Sequence, residues 1–434
     1  MPSSVTVRVP DRLRGPANLA TFATSYVVRG PAAAMGGLSA PAALALTPVC
    51  AAWAASRAVS GVADAVRIGM RVRRAPVLRP WPGLLAAPDE LRPVCTLLSD
   101  THVTAPGRGP CELDVDPGQW PWQTAPDSAA LVRGVRRLLT AVRRDAPPTV
   151  VWCGDEVDTG DPAEWAQWQA AVVATDGLAH RLVPGNHDIC FNRPHDHDYT
   201  LGERALRERA YQAHGGRLAD FPVVDTIVSD AGVVTVLLLD SCRHRSTHIL
   251  SNAIGRFGDD QLDEVARQLA RARGPVLCIA HHHVWRDARF LQPDEWYNTA
   301  VDADRLGALL VAYRRRDPRN QVLVCHGHRH TLTAGVFGDA DATIAVVGLP
   351  SSTMGDKAAT GRLDGVLRYA VAGLRGDGTW AVAMHAVGRL VASAEAVARR
   401  PSTLPAASLR ALSPVPPAAP PRPPTRRRAA RTGS

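Results

Sequence analysis

From Val94 onward, short apolar runs alternate with longer stretches of helical periodicity. Val94–Leu98, Thr149–Cys153, His180–Val183, Gly232–Asp240, Pro275–Ala280 and Gln321–Cys325 are too short for helices and mostly too continuously apolar for half-exposed strands. They predict strands buried on both faces. Between them, Asp127–Arg144 carries Leu131, Val132, Val135, Leu138, Leu139 and Val142 at helical spacing. Pro162–Thr175 is a second predicted helix, with Asp161 as N-cap and proline at its first position. Leu201–His214 reads as a charged surface helix and Asp259–Arg273 as another helix. Ala342–Val347, Val366–Ala372 and Thr379–His385 are further predicted strands with little helix between them, so that half of the chain is expected to pair in antiparallel or mixed fashion. The alternation predicts an α/β fold whose sheet is covered on both faces.

Composition divides the chain into three. Residues 1–92 are rich in Ala, Arg and Pro and end in a proline-punctuated linker (Pro76, Pro80, Pro82, Pro88, Pro93). Residues 93–398 form the expected folded body. Residues 399–434 are Pro, Ala and Arg with no aromatic residue, and bury too little to offset chain entropy, so they read as a disordered tail. Within the preface, Gly30–Ser56 carries no charge. It is long enough to cross a bilayer. It is also poor in Leu, Ile and Phe and broken by Pro31, Pro41 and Pro48. It therefore reads less as a membrane contact than as a loosely held Ala-rich helical region or as disorder.

The net charge of +9 is carried by the flanks: residues 1–92 contribute +7 and 399–434 contribute +8, which leaves the body at −6. An acidic body argues against a nucleic-acid groove. Eight cysteines form no Cys-x-x-Cys pair, and Cys95, Cys153, Cys278 and Cys325 lie inside apolar runs. They read as buried thiols of a reduced, cytoplasmic protein.

Five polar clusters follow predicted strands: Asp100-Thr101-His102, Gly154-Asp155-Glu156-Val157-Asp158, Gly185-Asn186-His187-Asp188, His281-His282-His283 and Gly327-His328-Arg329-His330. Open α/β sheets place their ligand sites at such strand ends. Oxygen and imidazole donors together suit a pair of divalent ions (Mn, Fe, Zn, Co or Ni) better than calcium. A pair of ions working on phosphate esters sits about 3.5–4 Å apart and needs a bridging carboxylate. Asp100 and His102 can serve one ion, Asp155 is the natural bridge, Asn186 offers an amide oxygen to the second ion, and His281, His328 and His330 complete the set. His187 is then free to act on substrate as the catalytic residue, with Asp188 or Asp158 orienting it or a ligand. Asp158, His282 and Arg329 are expected behind the ligands or against phosphate. The long insert Thr104–Pro126 begins two residues after a ligand and is expected to wall the substrate pocket.

These clusters, in this order, resemble the calcineurin-like metallophosphoesterase superfamily over roughly residues 94–390. The resemblance implies a four-layer α/β/β/α sandwich of two mixed sheets, a dinuclear centre with the ligand roles just given, and a histidine, His187, near the leaving group. The Gly-Asn-His-Asp and Gly-His-x-His clusters are similar to the phosphodiesterase branch. Thr159 and Asp188 stand where the Ser/Thr protein phosphatase branch has Arg and Glu. The fourth cluster reads His-His-His-Val where relatives usually read His-His-Pro. It leaves the ligand among His281, His282 and His283 open, with His281 favoured by its place at the strand end. The expected activity is a metal-dependent phosphoesterase acting on a phosphodiester or nucleotide-like phosphate in a phosphorylated small molecule. The alternatives are a non-catalytic interaction scaffold on the same fold and a membrane-associated lipid-phosphate hydrolase.

Overall fold

A computed structural model describes residues 66–111, 125–189, 201–244, 254–287, 298–357 and 361–390, together with isolated positions at 56, 59, 63, 113 and 120. The expectations for the tail 399–434 and for nearly all of 30–56 lie outside these residues, as does most of the insert beyond Cys111.

Among the described residues, twelve strands make two sheets. In chain order they are β1 Arg79–Pro80, β2 Arg92–Leu98, β3 Thr149–Trp152, β4 Ala179–Leu182, β5 Val223–Ser229, β6 Gly232–Leu238, β7 Val276–Ile279, β8 Val322–His326, β9 Thr333–Gly338, β10 Thr343–Gly348, β11 Val366–Leu374 and β12 Trp380–Arg389. The five-stranded sheet runs β12-β11-β2-β3-β4 and the seven-stranded sheet β1-β9-β10-β8-β7-β6-β5. Both are mixed. β2, β3 and β4 are parallel neighbours in one, and β6, β7, β8 and β10 in the other, with antiparallel strands at the flanks.

The continuous apolar runs are explained by strand alternation. Val151 and Cys153 face the layer between the sheets and meet Leu277, Ile279, Leu323 and Cys325 there. Val150 and Trp152 face the other way, onto the helices α1 (Ser128–Asp145), α2 (Pro162–Val173) and α3 (Leu201–Ala213). Across the molecule Val276, Cys278, Val322 and Val324 face α4 (Asp259–Arg271) and α5 (Ala303–Arg316). The result is helices, sheet, sheet, helices: the expected four layers. The four cysteines of the strands are buried and free.

Local signals set the helix starts. The Asp127 side chain accepts from the Ala130 amide at 2.7 Å. Asp161 and Glu164 form a reciprocal capping box at α2. The helix α3 is less of a surface helix than its charges suggest, because Arg204 and Tyr211 are buried.

The body also takes in chain upstream of residue 93. β1 pairs with β9, Leu84 joins the layer between the sheets, and Ala75 and Leu78 pack under α5. Ile68 and Val72, on a helix running through 66–72, pack against Ile254 and Val301. Composition alone placed this segment in the preface, since its few apolar residues are scattered among Pro and Arg. No helix among the described residues is long and apolar enough to cross a membrane.

Candidate metal centre

Each polar cluster leaves the C-terminal end of a strand: β2, β3 and β4 of one sheet, β7 and β8 of the other. The parallel runs bring these ends to a common edge, so the five loops meet where the two sheets face each other.

Three groups of donors form there among the described residues, one of them His102, Asp158 and His187. Of the other two, Asp100, His102 and His330 converge as the first, and Asp155, His281 and His328 as the second. His102 Nε2 lies 3.0 Å from His330 Nε2, and His330 Nε2 lies 3.3 Å from Asp100 Oδ1. In the second group His281 Nε2 lies 3.1 Å from Asp155 Oδ2, 3.1 Å from His328 Nδ1 and 3.0 Å from Asn186 Oδ1. Asp155 Oδ2 is 3.8 Å from His102 Nε2 in the first group, so one carboxylate reaches both.

Backbone conformation marks the same residues. Among the described residues, the non-glycine positions with positive φ are Asp100, His102, Asp155, His328 and His330. Each costs of order 1–3 kcal/mol. Five such positions, all on converging donors, indicate strain held in place by the surrounding fold.

Hydrogen bonds fix which atoms point inward. The Cys153 carbonyl can only accept, so His281 Nδ1, 2.9 Å away, donates to it and leaves Nε2 for the centre. Burial opposes charge on His281, yet Asp155 beside it raises its pKa to about 9. Burial would likewise raise Asp155, but His281 and His187 hold it well below the usual carboxylate range. Buried imidazole nitrogens facing each other at about 3 Å among ionised carboxylates form a donor set that a cation satisfies. The residues present therefore fit a pair of divalent ions.

The structure distinguishes the three neighbouring histidines. His281 enters the donor group. His282 turns to Ser241, whose hydroxyl lies 2.8 Å from its Nδ1, and its ring sits 4.6 Å from that of His328. His283 is buried against Trp285 and His326, and burial pushes its pKa well down. Arg329 is half-buried between His328 and His330.

Two carboxylates, Asp188 and Asp158, lie behind the first and second donor groups. The carboxylate of Asp188 accepts from the amides of Gly185 at 2.7 Å, Asp155 at 2.9 Å and Val157 at 3.1 Å. It clamps the Asp155 loop to the Asn186 loop. Asp158 accepts from the Cys111 amide at 3.0 Å and lies 3.5 Å from His102 Nδ1. It ties the insert to the first donor group. His187 Nδ1 donates to the Asp158 carbonyl at 2.7 Å, and its ring meets His102 edge-on at 4.6 Å.

Sequence reasoning missed the Ser351-Ser352-Thr353 run. Ser351 Oγ donates to the Asp100 carbonyl at 2.6 Å, the Ser99 amide donates to Ser352 Oγ at 3.0 Å, and Thr353 Oγ1 donates to the Thr101 carbonyl at 2.9 Å. Ser99 Oγ also bonds to Asp100. The available signal was positional: three hydroxyls in a row just past a strand end, like the other clusters. Glycines leave room for close approach. A Cβ at Gly154 would lie 2.6 Å from His281 Nδ1, and one at Gly327 would overlap Ser99 Oγ and an Asp100 oxygen. Trp120, Trp165, Trp168 and Trp285 are buried, in keeping with a packing role.

A family profile described as calcineurin-like phosphoesterase matches residues 95–332, more than half of the chain. Among solved structures, the chain is similar to a dimetal phosphatase from Danio rerio (15% identity, 66% of this chain and 94% of that one, TM-score 0.43). It is also similar to purple acid phosphatase PPD1 from yellow lupin, Lupinus luteus (10%, 70% and 55%, TM-score 0.43). A third is the phosphopantetheinyl hydrolase PptH from Mycobacterium tuberculosis (13%, 60% and 91%, TM-score 0.32). No curated protein matches the chain.

Proposed function

Since the chain belongs to the calcineurin-like phosphoesterase family and is a metal-dependent phosphoric ester hydrolase, we propose that it hydrolyses a phosphodiester or a nucleotide-like phosphate in a small molecule. Asp100, His102 and His330 would hold one ion. Asn186, His281 and His328 would hold the other, with Asp155 shared. The observation that carries the reading is the reach of Asp155 to both donor groups. When bound, the two ions supply positive charge for the phosphoryl oxygens and lower the pKa of a water that serves as nucleophile.

The remaining work falls to the protein. Asp188 keeps the bridge and the Asn186 loop in register. The Asp158 carbonyl accepts from His187 Nδ1 whether the ring is neutral or charged, so Nε2 is the atom offered to substrate. Burial pushes the His187 pKa down. The neutral ring is therefore favoured, and with its proton on Nδ1 it offers Nε2 as an acceptor toward a hydroxyl or water at the substrate. Positioned imidazole and carboxylate groups in a buried site strengthen electrostatic stabilisation of charge on the phosphoryl group.

The acidic body, at −6, favours a small phosphorylated substrate over nucleic acid. The test is hydrolysis of bis(p-nitrophenyl) phosphate and p-nitrophenyl phosphate by metal-stripped protein, with Mn, Zn, Ni, Co or Mg restored one at a time. The reading expects turnover that returns with metal and a diester rate at least comparable to the monoester rate. A monoester rate higher by about a hundredfold, a difference near 3 kcal/mol in barrier, would sink the diesterase assignment.

A further inference from the structure

The helix running through 66–72, with described helical positions at 56, 59 and 63, has two apolar faces. At about 100° per residue, Ile68 and Val72 lie on one side, and they are buried against Ile254 and Val301. On the opposite side Val59, Ala63, Val66 and Met70 fall within about 60° of arc. These four are exposed: Val59 is 70%, Val66 55% and Met70 61% accessible. Their spacing of four, three and four residues is that of a continuous seam.

The surroundings of the seam are basic. Arg67 and Arg71 flank it, with Arg73 and Arg74 just beyond the helix end, and all four are exposed. Residues 56–74 contain five Arg and one acid, Asp64, whereas the body is acidic. Immediately upstream lies the run Gly30–Ser56, which carries no charge.

We propose that this helix docks the protein on an anionic lipid surface, the seam entering the headgroup boundary and the arginines meeting lipid phosphates. An apolar stripe bordered by Arg is the pattern of a helix lying in a bilayer interface. A second copy of the chain fits less well, because pairing two seams would bring like-charged arginines together along the contact. The buried side of this helix, not the docking seam, packs next to the loops that carry His282 and His283. Val301 donates its amide to Gly255 at 2.9 Å, Ala300 donates to the His283 carbonyl at 2.9 Å, and a Cβ at Gly255 would lie 2.6 Å from His282 Cβ.

The test is flotation of the full chain with vesicles of phosphatidylcholine alone and of phosphatidylcholine with phosphatidylserine. Wild type is compared with a V59D/V66D/M70D variant, and p-nitrophenyl ester hydrolysis and solution mass are measured on both. These positions are exposed, so the variant is expected to fold and to keep its basal activity. A single Met70→Asp variant serves as a milder check on folding. The proposal expects binding to the phosphatidylserine vesicles, weak binding to neutral ones, and a loss of roughly tenfold or more in the triple variant. Three results would overturn it: no binding to either vesicle; binding undiminished in the triple variant, which would assign it to the basic tail; or a lipid-free dimer that the variant reduces to monomer, which would assign the seam to a second copy.

Discussion

Replacing Asp188 by Asn separates a clamp from a chemical group. The carboxylate of Asp188 accepts three buried amides, two of them on Oδ2 and one on Oδ1. An Asn can keep its oxygen toward the Gly185 and Asp155 amides, but its NH2 group then faces the Val157 N–H, which loses its acceptor. An orphaned buried donor costs about 1–3 kcal/mol. That corresponds to a fall in Tm of about 2–4 °C per kcal/mol, so several degrees in all. The amide of the bridge, Asp155, stays held, but less rigidly. Loosening a partner that orients a ligand weakens metal affinity by roughly 10–100-fold. Once metal is saturating, kcat is expected within about tenfold of wild type, because no atom of Asp188 is free to reach substrate. Thermal unfolding, calorimetric metal titration and ester hydrolysis at saturating metal check the three parts. Unchanged Tm and metal affinity beside a kcat lowered by about 1,000-fold or more would refute the clamp and return Asp188 to the chemistry.

Other expectations follow from single positions. Gly327→Ala would place a methyl group against Ser99 Oγ and Asp100, so bound metal should fall from two ions to about one while secondary structure by circular dichroism persists. Glu164 lies buried under the start of α2 with its pKa raised to about 7 by burial, with the nearby Asp158 charge adding to the shift. The folded state thus binds its proton more tightly than the unfolded state does. This contribution is intact below pH 4.5, falls by about 1.4 kcal/mol per pH unit between there and 7, and is then lost. Glu164→Gln keeps an acceptor for the Thr159 amide. It should therefore be more stable than wild type at pH 8 by up to about 3.5 kcal/mol and lose that advantage near pH 4.5. Denaturant unfolding at the two pH values reads this directly, and an advantage that grows toward acid pH would contradict it.

Much of the site was legible because strand ends and polar clusters are local. The apolar run before Asp100 becomes β2, the cap at Asp161 starts α2, and the donors of all five clusters converge. What escaped was of two kinds. Some local signal was present but weak beside stronger neighbours. The helix α5 carries Leu306, Leu310 and Tyr313 at helical spacing, and β5 alternates Val223, Asp225 and Ile227 with polar or exposed positions, yet neither ends in a cluster of carboxylate and imidazole donors. Other features depend on contacts far apart in sequence. β1 is two residues long and exists only because β9 is there to pair with it. The grip of Ser351–Thr353 on the Asp100 loop spans about 250 positions. The division of labour among His281, His282 and His283 depends on Cys153, Ser241 and Trp285, none of which a reading of the histidine run could supply. The positive φ of the five donors is likewise a property of the assembled fold, since Asp and His enter that region only when their surroundings compel it.

The central claim is a centre of two ions sharing Asp155. The most direct measurement is metal content per chain by mass spectrometry after reconstitution and removal of free ion, made on wild type and on Asp155→Ala, with ester hydrolysis run on the same samples. Wild type is expected to hold two ions and turn over. The variant is expected to hold at most one and to lose activity by about 1,000-fold or more. A wild type that binds one ion, or a variant that keeps two ions and turns over, would contradict the account.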